Sequence, residues 1–578
     1  MRIPKISGRR ALLLGGSVYL LGALVMFSRV LALSPTRATT CPCSDSSLFA
    51  WYFEWLWVAI RDGHNPFFST AVFHPVGTNL LANTSSMALG LVLLPITALF
   101  GPLASVNVAV IAAPVLSGLA AMWVATRWTS SSAVAWLVGA LYAFSPLVLA
   151  ESSGAHLMIT FLAIPPLVLA CFDELLFRRT RSPIKVGAVL GALIVVQFFI
   201  GTELLVLMAI TIACSLVIIG IAALVMDRAA CIDAVRSSLP GFGVAVAVAL
   251  VFLAWPALYA LAGPQHYSGV IWPGRPPASN SLRSVIIPQA TLPLWWDPSA
   301  PTPARASLLG PGLVLVVLFG GIFYRRDHRL VVASTMTAVL VLLGLGSSYS
   351  FAPWHYLQHV PVIENVFNDR FGALLLLPAG LALARTLENV RATWPTRNGA
   401  VAAWSIAALC VLPFLPSWRA VPYSANRVFE PLWFQQNGSR AHREVILQMN
   451  LTGGENFLAV QALHAMTYSI NNGGPPQSFH PRQPAIVRPG AAILGQVSSA
   501  SGETALGSRA TPAQRLAVLA ALRGWKVTTV VLPTEDAPTA TTNAGYPYVE
   551  ARWLISVLGP ATFHDGAWVW RIAPPASP

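Results

Sequence analysis

The chain has 578 residues, of which 55% are hydrophobic and only 10% are charged. A soluble domain carries roughly 25% charged residues, so this composition excludes an ordinary soluble protein and indicates an integral membrane protein. The formal net charge is +14, but the basic residues stand mostly in short clusters between apolar segments, where they determine topology. A nucleic-acid surface would need them on one soluble face, so nucleic acid is not an expected partner.

The first apolar segment, residues 11–33, follows a basic stretch that includes Arg9 and Arg10. We therefore expect a cytoplasmic N-terminus and a retained membrane anchor. About 20 apolar residues are needed to cross a bilayer, and eleven segments are predicted to do so. They are residues 11–33, 105–126, 131–150, 156–177, 186–201, 203–226, 241–262, 308–324, 330–349, 371–387 and 399–415.

A further apolar piece, residues 87–100, is not counted as a span. Counting it would place three Arg-rich loops outside, against the positive-inside rule. As an interfacial or re-entrant helix, broken by Pro95 and closed by Gly101 and Pro102, it keeps those loops in the cytoplasm. The three loops are residues 178–185, 227–236 and 325–329.

The residues after the first span carry most of the functional signal. Asp45 precedes a run, residues 49–57, that contains six aromatic side chains. Such a density of amphipathic rings suits a helix at the membrane interface. We therefore expect residues 34–104 to form one large external loop with juxtamembrane helices and with Asp45 near its start.

Counting the spans from a cytoplasmic N-terminus places residues 263–307 outside. This is a long loop rich in Pro and aromatic residues. Residues 417–578 contain no spanning segment, so we expect an extracytoplasmic soluble α/β domain after a membrane domain of residues 1–416. Helical spacing predicts a helix over residues 511–523. The predicted strands are residues 444–450, 456–461, 526–533 and 566–572.

An acidic residue soon after the first span, a helical membrane domain and an external C-terminal α/β domain occur together in one known family. The chain resembles the polyprenyl-phosphate-dependent glycosyltransferases of the GT-C fold class, which include protein mannosyltransferases, aminoarabinose transferases and mycobacterial arabinosyltransferases. The strong preference for Arg over Lys is typical of a GC-rich, actinobacterial-like source. The motifs similar to those of bacterial GT-C-like proteins are GHNPFF at residues 63–68, SPLVLAESSGAH at 145–156, QFFIGTE at 197–203, LAGPQHYSG at 261–269 and NVFNDRF at 365–371.

The resemblance implies that an acceptor hydroxyl attacks a sugar held on a lipid phosphate, with inversion. Such a reaction needs a carboxylate to take the proton and cations to hold the leaving phosphate. The resemblance implies Asp45 as the general base and matches Glu151 to a second acidic position. Glu203, at the predicted outer mouth of another helix, is a further catalytic candidate. The alternatives are a helix cap for Asp45, a solvated loop charge for Glu151, and a tolerated charge at the membrane boundary for Glu203.

Candidate donor-binding residues are cationic or can become so. Arg370 stands at the predicted outer start of a span, and its planar fork suits phosphate oxygens, although interfacial anchoring is an alternative. His156 could bind the donor phosphate or satisfy a helix end. His266, Arg275 and Arg283 lie in the long loop and could close over the donor. No cluster has convincing metal-ligand spacing, so no metal site is predicted, and the use of a divalent cation stays open.

The sequence thus predicts a multi-pass plasma-membrane glycosyltransferase that decorates a cell-envelope glycan, lipid or protein from a polyprenyl-phosphate sugar. A transporter or flippase of lipid-linked glycans would place ionisable residues at the bilayer midplane, whereas these candidates lie at predicted outer helix ends. A non-catalytic envelope protein that binds polyprenyl lipid is the remaining alternative.

Overall fold

The chain folds into two compact units. The computed structural model describes residues 8–41, 44–266, 269–270, 280, 282–286, 309–414, 421–449, 456–471, 484–497, 507–535 and 546–572. The first unit comprises Met1–Ala32, Val108–Pro256 and Trp272–Ser424, and the second comprises Leu33–Asn107, Ala257–Ile271 and Ala425–Pro578. The first loop therefore folds with the C-terminal segment, whereas the sequence grouped residues 34–104 with the spans.

Apolar helices dominate the chain, as predicted for a polytopic membrane protein. Within the described ranges, eight helices are long and apolar enough to span a membrane, or nine if Ser132–Ala143 and Pro146–Ser153, bent by 45°, form one span. Gly310–Phe323 and His328–Gly344 are shorter apolar helices, so the total of eleven spans stays a prediction. The eight are Arg9–Met26, Pro102–Ala125, Leu157–Arg178, Pro183–Ile200, Thr202–Met226, Arg228–Ala262, Asn368–Thr393 and Arg397–Phe414.

Gly372–Thr393 is the central helix of the first unit. It is buried from Gly372 through Ala384 and contacts Ser132–Ala143, His328–Gly344 and Arg397–Val411. By contrast, the apolar window of Arg228–Ala262 is only 11% buried, which is the pattern of a helix that faces lipid.

The other helical segments of the first unit are short, and several of them are consecutive parts of Leu157–Arg178 and of Gly310–Phe323. They are Ser28–Leu33, Leu157–Thr160, Ile164–Phe172, the π-helical Asp173–Arg178, Leu282–Ile286, Gly310–Leu315, the π-helical Val316–Gly320, Gly321–Phe323, Gly346–Ser348, Trp354–Leu357, Ile363–Asn365, Asn368–Phe371 and Leu412–Phe414.

The C-terminal part of the second unit is built on a five-stranded mixed sheet. In spatial order the strands are Ser469–Ile470, Val445–Gln448, Thr529–Pro533, Ala567–Arg571 and Thr562–His564, the first three parallel and the last two antiparallel to their neighbours. Because parallel neighbours need crossover connections, helices lie between the strands. These helices are Asn456–Leu463, Arg488–Val497 and Pro512–Gly524, with Leu432–Asn437 before the sheet and Tyr546–Leu558 before its last hairpin.

Three of the four predicted strands and the predicted helix are confirmed. Strands occupy Val445–Gln448, Thr529–Pro533 and Ala567–Arg571, and helix Pro512–Gly524 begins after a Thr511 capping box. The strand predicted at residues 456–461 is wrong, because Asn456–Leu463 is a helix. A short apolar run does not distinguish a buried strand from a buried helix, and here tertiary packing decides.

That packing involves the aromatic helix Ser44–Asp62, which contacts Asn456–Leu463. Trp51 Nε1 donates to Gln461 Oε1 at 2.7 Å, and the Gln461 amide donates to the carbonyl oxygens of Ala71 and Tyr468 at 2.9 and 2.7 Å. Trp51 and Phe53 are buried. The rings predicted to lie at a membrane interface are therefore largely core residues of this unit.

The apolar piece at residues 87–100 is broken, as predicted. It forms two helices, Met87–Val92 and Leu94–Phe100, with Pro95 in the first turn of the second helix. Gly101, at φ 86°, ends the second helix, and Pro102 begins the next. The predicted membrane position of this pair stays a prediction.

Candidate active site

Arg370 is held in a fixed orientation inside the first unit. It forms an ion pair with Glu203, whose other carboxylate oxygen accepts the Phe367 N–H at 2.9 Å. The Arg370 guanidinium lies 4.8 Å from the centroid of the Phe367 ring, within cation–π range. The two charged side chains are only 16% and 13% exposed, so solvent screens this pair weakly.

Glu203 is positioned where the chain at Gly201 passes close to the chain at Met158. Glu203 lies in the first turn of Thr202–Met226, and this helix begins directly after Gly201. A Cβ at Gly201 would lie 2.8 Å from the Met158 carbonyl oxygen, so glycine permits this approach. The buried Gln197 amide donates to the Gly201 carbonyl oxygen at 3.1 Å, which stabilises the corner between the two helices.

Glu151 and His156 form a second pair within one turn. Ser145 caps helix Pro146–Ser153 by accepting the Val148 N–H, and the Glu151 carboxylate contacts His156 Nδ1. These side chains are 23% and 30% exposed, more than those of the Glu203 and Arg370 pair. They are therefore the more accessible of the two pairs.

The two pairs belong to one cluster. Helix Thr202–Met226 contacts both Leu157–Thr160 and Asn368–Phe371, and Glu151 acts electrostatically on Arg370, as does Asp369. Sequence reasoning missed Asp369, although it stands beside Arg370. Four predicted site residues thus come together, namely Glu151, His156, Glu203 and Arg370. Because a guanidinium and a backbone N–H occupy the Glu203 carboxylate, the contacts favour a positioning role for Glu203 over a base.

Asp45 belongs to the second unit. It is half-buried and lies in the first turn of Ser44–Asp62, where a negative charge is favourable beside the positive end of the helix dipole. The chain before it is anchored by pairing of Ala38–Thr39 with Asn426–Arg427. Asn426 Nδ2 also donates to the Thr40 carbonyl oxygen at 3.2 Å.

Two further side chains fix the backbone that leads to Asp45. Asn107 Nδ2 donates to the carbonyl oxygens of Pro35 and Ala38, both at 2.8 Å. Arg37 forms an ion pair with Glu430 at 3.1 Å. The backbone leading to Asp45 is therefore fixed by residues that lie far from it in sequence.

Glu430, which is buried, is also part of a polar network that sequence reasoning missed. Its other carboxylate oxygen lies 2.6 Å from His464 Nε2, and His464 Nδ1 lies 2.8 Å from Ser439 Oγ. The three residues are widely separated in the chain and share no motif, so no sequence signal pointed to them. The network connects Arg37, near the first loop, to the sheet region.

The remaining donor-binding candidates are not assembled by visible contacts. His266 is half-buried, with Nδ1 2.9 Å from the Gly263 carbonyl oxygen. Arg283 is exposed on Leu282–Ile286, and Arg275 lies outside the described residues. Their roles stay predictions.

Glu54, on the aromatic helix, is a buried carboxyl. It is 5% exposed, and burial raises its pKa to about 7, partly opposed by the charge of Arg61. A folded-state pKa above the unfolded value of 4.5 means that the protonated form favours folding. This stabilisation is complete below pH 4.5 and is lost as pH rises through 7.

We expect Glu54→Gln to remove this pH dependence. Relative to the wild type, the variant should gain stability as pH rises from 4.5 to 8, by up to about 3 kcal/mol at 1.36 kcal/mol per pKa unit. Thermal unfolding of the purified protein across this range measures the effect. Asp62→Asn, which alters an exposed carboxylate on the same helix, is the control. Parallel wild-type and Glu54→Gln curves would contradict the prediction.

Metal ligands do not cluster in the part of the chain that the structure describes. No group of three or more His, Cys, Asp or Glu side chains there could hold a metal ion.

No protein-family model and no curated protein matches this sequence, but solved structures do. The arabinofuranosyltransferase AftD from Mycobacteria superposes with a TM-score of 0.51 at 14% identity, covering 94% of this chain and 37% of that one. The apo oligosaccharyltransferase of Archaeoglobus fulgidus superposes with a TM-score of 0.52 at 12% identity, covering 95% and 71%. This chain has the GT-C fold.

The resemblance inferred from the sequence is thereby confirmed at the level of the fold. Another structure of AftD gives a TM-score of 0.54 over 99% of this GT-C chain and 42% of that one. The Archaeoglobus enzyme, AglB, has also been solved with an inhibitory peptide and a dolichol-phosphate, at a TM-score of 0.50. The GT-C chain thus spans less than half of AftD and about 71% of AglB.

Proposed function

We propose that this GT-C chain is a plasma-membrane glycosyltransferase. It transfers a sugar from a polyprenyl-phosphate donor to a cell-envelope acceptor on the extracytoplasmic face, with inversion. The observation that carries the proposal is the cluster of Glu151, His156, Glu203 and Arg370 in a protein whose fold is shared with two glycosyltransferases. The solved complex of AglB with a dolichol-phosphate supports a lipid-phosphate donor.

The proposed chemistry divides between a base and a cation. Asp45 accepts the proton of the acceptor hydroxyl while the hydroxyl oxygen bonds to the anomeric carbon. The bond from that carbon to the phosphate oxygen breaks, and the electron pair leaves with the lipid phosphate. Arg370 stabilises this departing charge through a preorganised guanidinium.

The contacts of the cluster support these roles. Glu203 and Phe367 fix the Arg370 fork, so little reorganisation is needed when a phosphate binds. His156 contacts Glu151 and is more exposed than Arg370. When protonated, it offers a second hydrogen-bond donor to the phosphate. Glu151 then orients the His156 ring, and Glu203 positions Arg370.

The test is transfer of radiolabelled sugar from a panel of polyprenyl-phosphate donors in membranes that contain the full-length protein. We expect one donor to give a labelled envelope product, and membranes without the protein to give none. Donor binding without any product, across suitable acceptors, would favour the non-catalytic alternative. Movement of label across the bilayer without transfer would favour a flippase.

A further inference from the structure

A large groove lies within the first unit, and the proposed chemistry does not use it. Its volume is about 1050 Å³. It is lined by one face each of Thr202–Met226, His328–Gly344 and Gly372–Thr393, together with the stretch Ile164–Arg178. We propose that this groove binds one anionic phospholipid, with an acyl chain among the helices and the phosphate at a basic end.

The apolar wall has the dimensions of one membrane leaflet. Helix Thr202–Met226 lines the groove at an unbroken i, i+3, i+4 spacing from Met208 to Ile219, which is a single helix face. At 1.5 Å per residue this face is about 16 Å long, about half of a ~30 Å hydrocarbon core. The other wall residues include Met336, Leu340 and Leu377, so the surroundings suit a hydrocarbon chain.

All the basic lining residues gather at one end of the groove. Thr202–Met226 and Gly372–Thr393 both begin beside the Glu203 and Arg370 pair, and Arg385 lies about 20 Å further along its helix. The basic end therefore lies away from the proposed donor-phosphate cluster and in the predicted cytoplasmic loops. Its members are Arg178, Arg325, Arg326, His328, Arg329 and Arg385.

The acidic groups at this end are already in ion pairs. Arg127 pairs with Asp173 at 3.0 Å and with Glu174 at 2.9 Å, and Arg385 pairs with Asp327 and with Glu388, both at 2.7 Å. Of the other lining arginines, Arg329 donates to the Arg127 carbonyl oxygen at 3.0 Å. Arg178, Arg325 and Arg326 are exposed and form no ion pair with any described residue. With these exposed guanidinium groups the end of the apolar groove carries a net positive charge, which matches a lipid phosphate in charge and in hydrogen-bond geometry.

The groove is also accessible from the side. Phe323 and Phe177, both on its lining, are 75% and 54% exposed. In a bilayer such rings contact lipid, so an acyl chain can enter laterally without crossing a polar barrier. A groove one leaflet long, with its phosphate end in the cytoplasmic loops, suits a phospholipid of that leaflet. It does not suit the extracytoplasmic donor.

Native mass spectrometry of the purified full-length protein tests the proposal. Phosphatidylglycerol, phosphatidylcholine or polyprenyl phosphate is added in turn, and retained lipid is measured against concentration. We expect phosphatidylglycerol to bind, and the double variant Arg325→Gln, Arg326→Gln to weaken this binding about tenfold. Leu216→Trp, which fills the groove from a partly exposed position, should also reduce retention.

The matched control is Arg391→Gln with Arg397→Gln. These arginines are exposed and lie outside the groove lining, so the control removes the same charge and should leave phosphatidylglycerol binding unchanged. Equal losses in the two double variants would overturn the proposal, as would equal retention of phosphatidylcholine. Weaker retention of polyprenyl phosphate in the Arg325→Gln, Arg326→Gln variant, with unchanged retention of phosphatidylglycerol, would also overturn it. The readout is binding alone, so it is independent of sugar transfer.

Discussion

Asp45→Asn is expected to lower sugar transfer about a thousandfold, within the range for loss of a general base. The amide keeps the size and shape of the carboxylate but does not accept the hydroxyl proton. Folding should be almost unaffected, because a charge in the first helical turn contributes only about 0.3 to 1 kcal/mol. Rates of labelled product formation at saturating donor measure the effect.

Asp62→Asn is the matched control for this substitution. It makes the same chemical change at the other end of the same helix, where the carboxylate is exposed and paired with Arg61. We expect it to retain wild-type transfer. If Asp45→Asn inserts normally and still transfers sugar, the base lies elsewhere, and Glu151 becomes the first candidate because it is partly exposed and contacts His156.

Arg370→Gln is expected to reduce transfer about a hundredfold or more, because one preorganised charge donor is lost. The same substitution leaves Glu203 buried without its counter-charge, which destabilises a fold by about 3–5 kcal/mol. A loss of activity in the single variant would therefore mix catalysis with folding. Transfer rate and thermal stability must be measured together.

The double variant Arg370→Gln, Glu203→Gln separates the two effects. It removes both charges and keeps neutral partners that can hydrogen-bond, so stability should return towards that of the wild type. Transfer should stay low, because the Arg370 guanidinium no longer stabilises the leaving phosphate. Recovery of transfer in the double variant would show that the pair is only structural and would contradict the proposed role of Arg370.

Proximity in sequence accounts for only one of the contacts among the predicted site residues. Glu151 and His156 are five residues apart in one motif and form a pair. Asp369, beside Arg370, was overlooked in the same kind of motif. The link between Glu203 and Arg370 joins residues 167 positions apart, and no spacing rule connects them.

The first loop shows that composition does not distinguish a membrane-interface helix from a core helix. Its aromatic run was interpreted as a membrane-interface helix, yet Trp51 and Phe53 are buried and Trp51 bonds to Gln461, 410 residues later. Amphipathic rings suit a bilayer interface and a protein core equally well, so composition does not separate the two. The same partner explains why residues 456–461, with the apolar pattern of a strand, form a helix.

Composition and segment length by themselves determined that this is a polytopic membrane protein, where its apolar helices lie and where residues 87–100 break. These features depend on the hydrophobicity and backbone preferences of neighbouring residues, which the sequence states directly. Only the tertiary structure decided that the first loop folds with the C-terminal sheet, that Glu203 holds Arg370 and that arginines from three segments surround one groove. Such arrangements follow from packing between distant segments, whose free energies are properties of the folded chain and not of any local pattern.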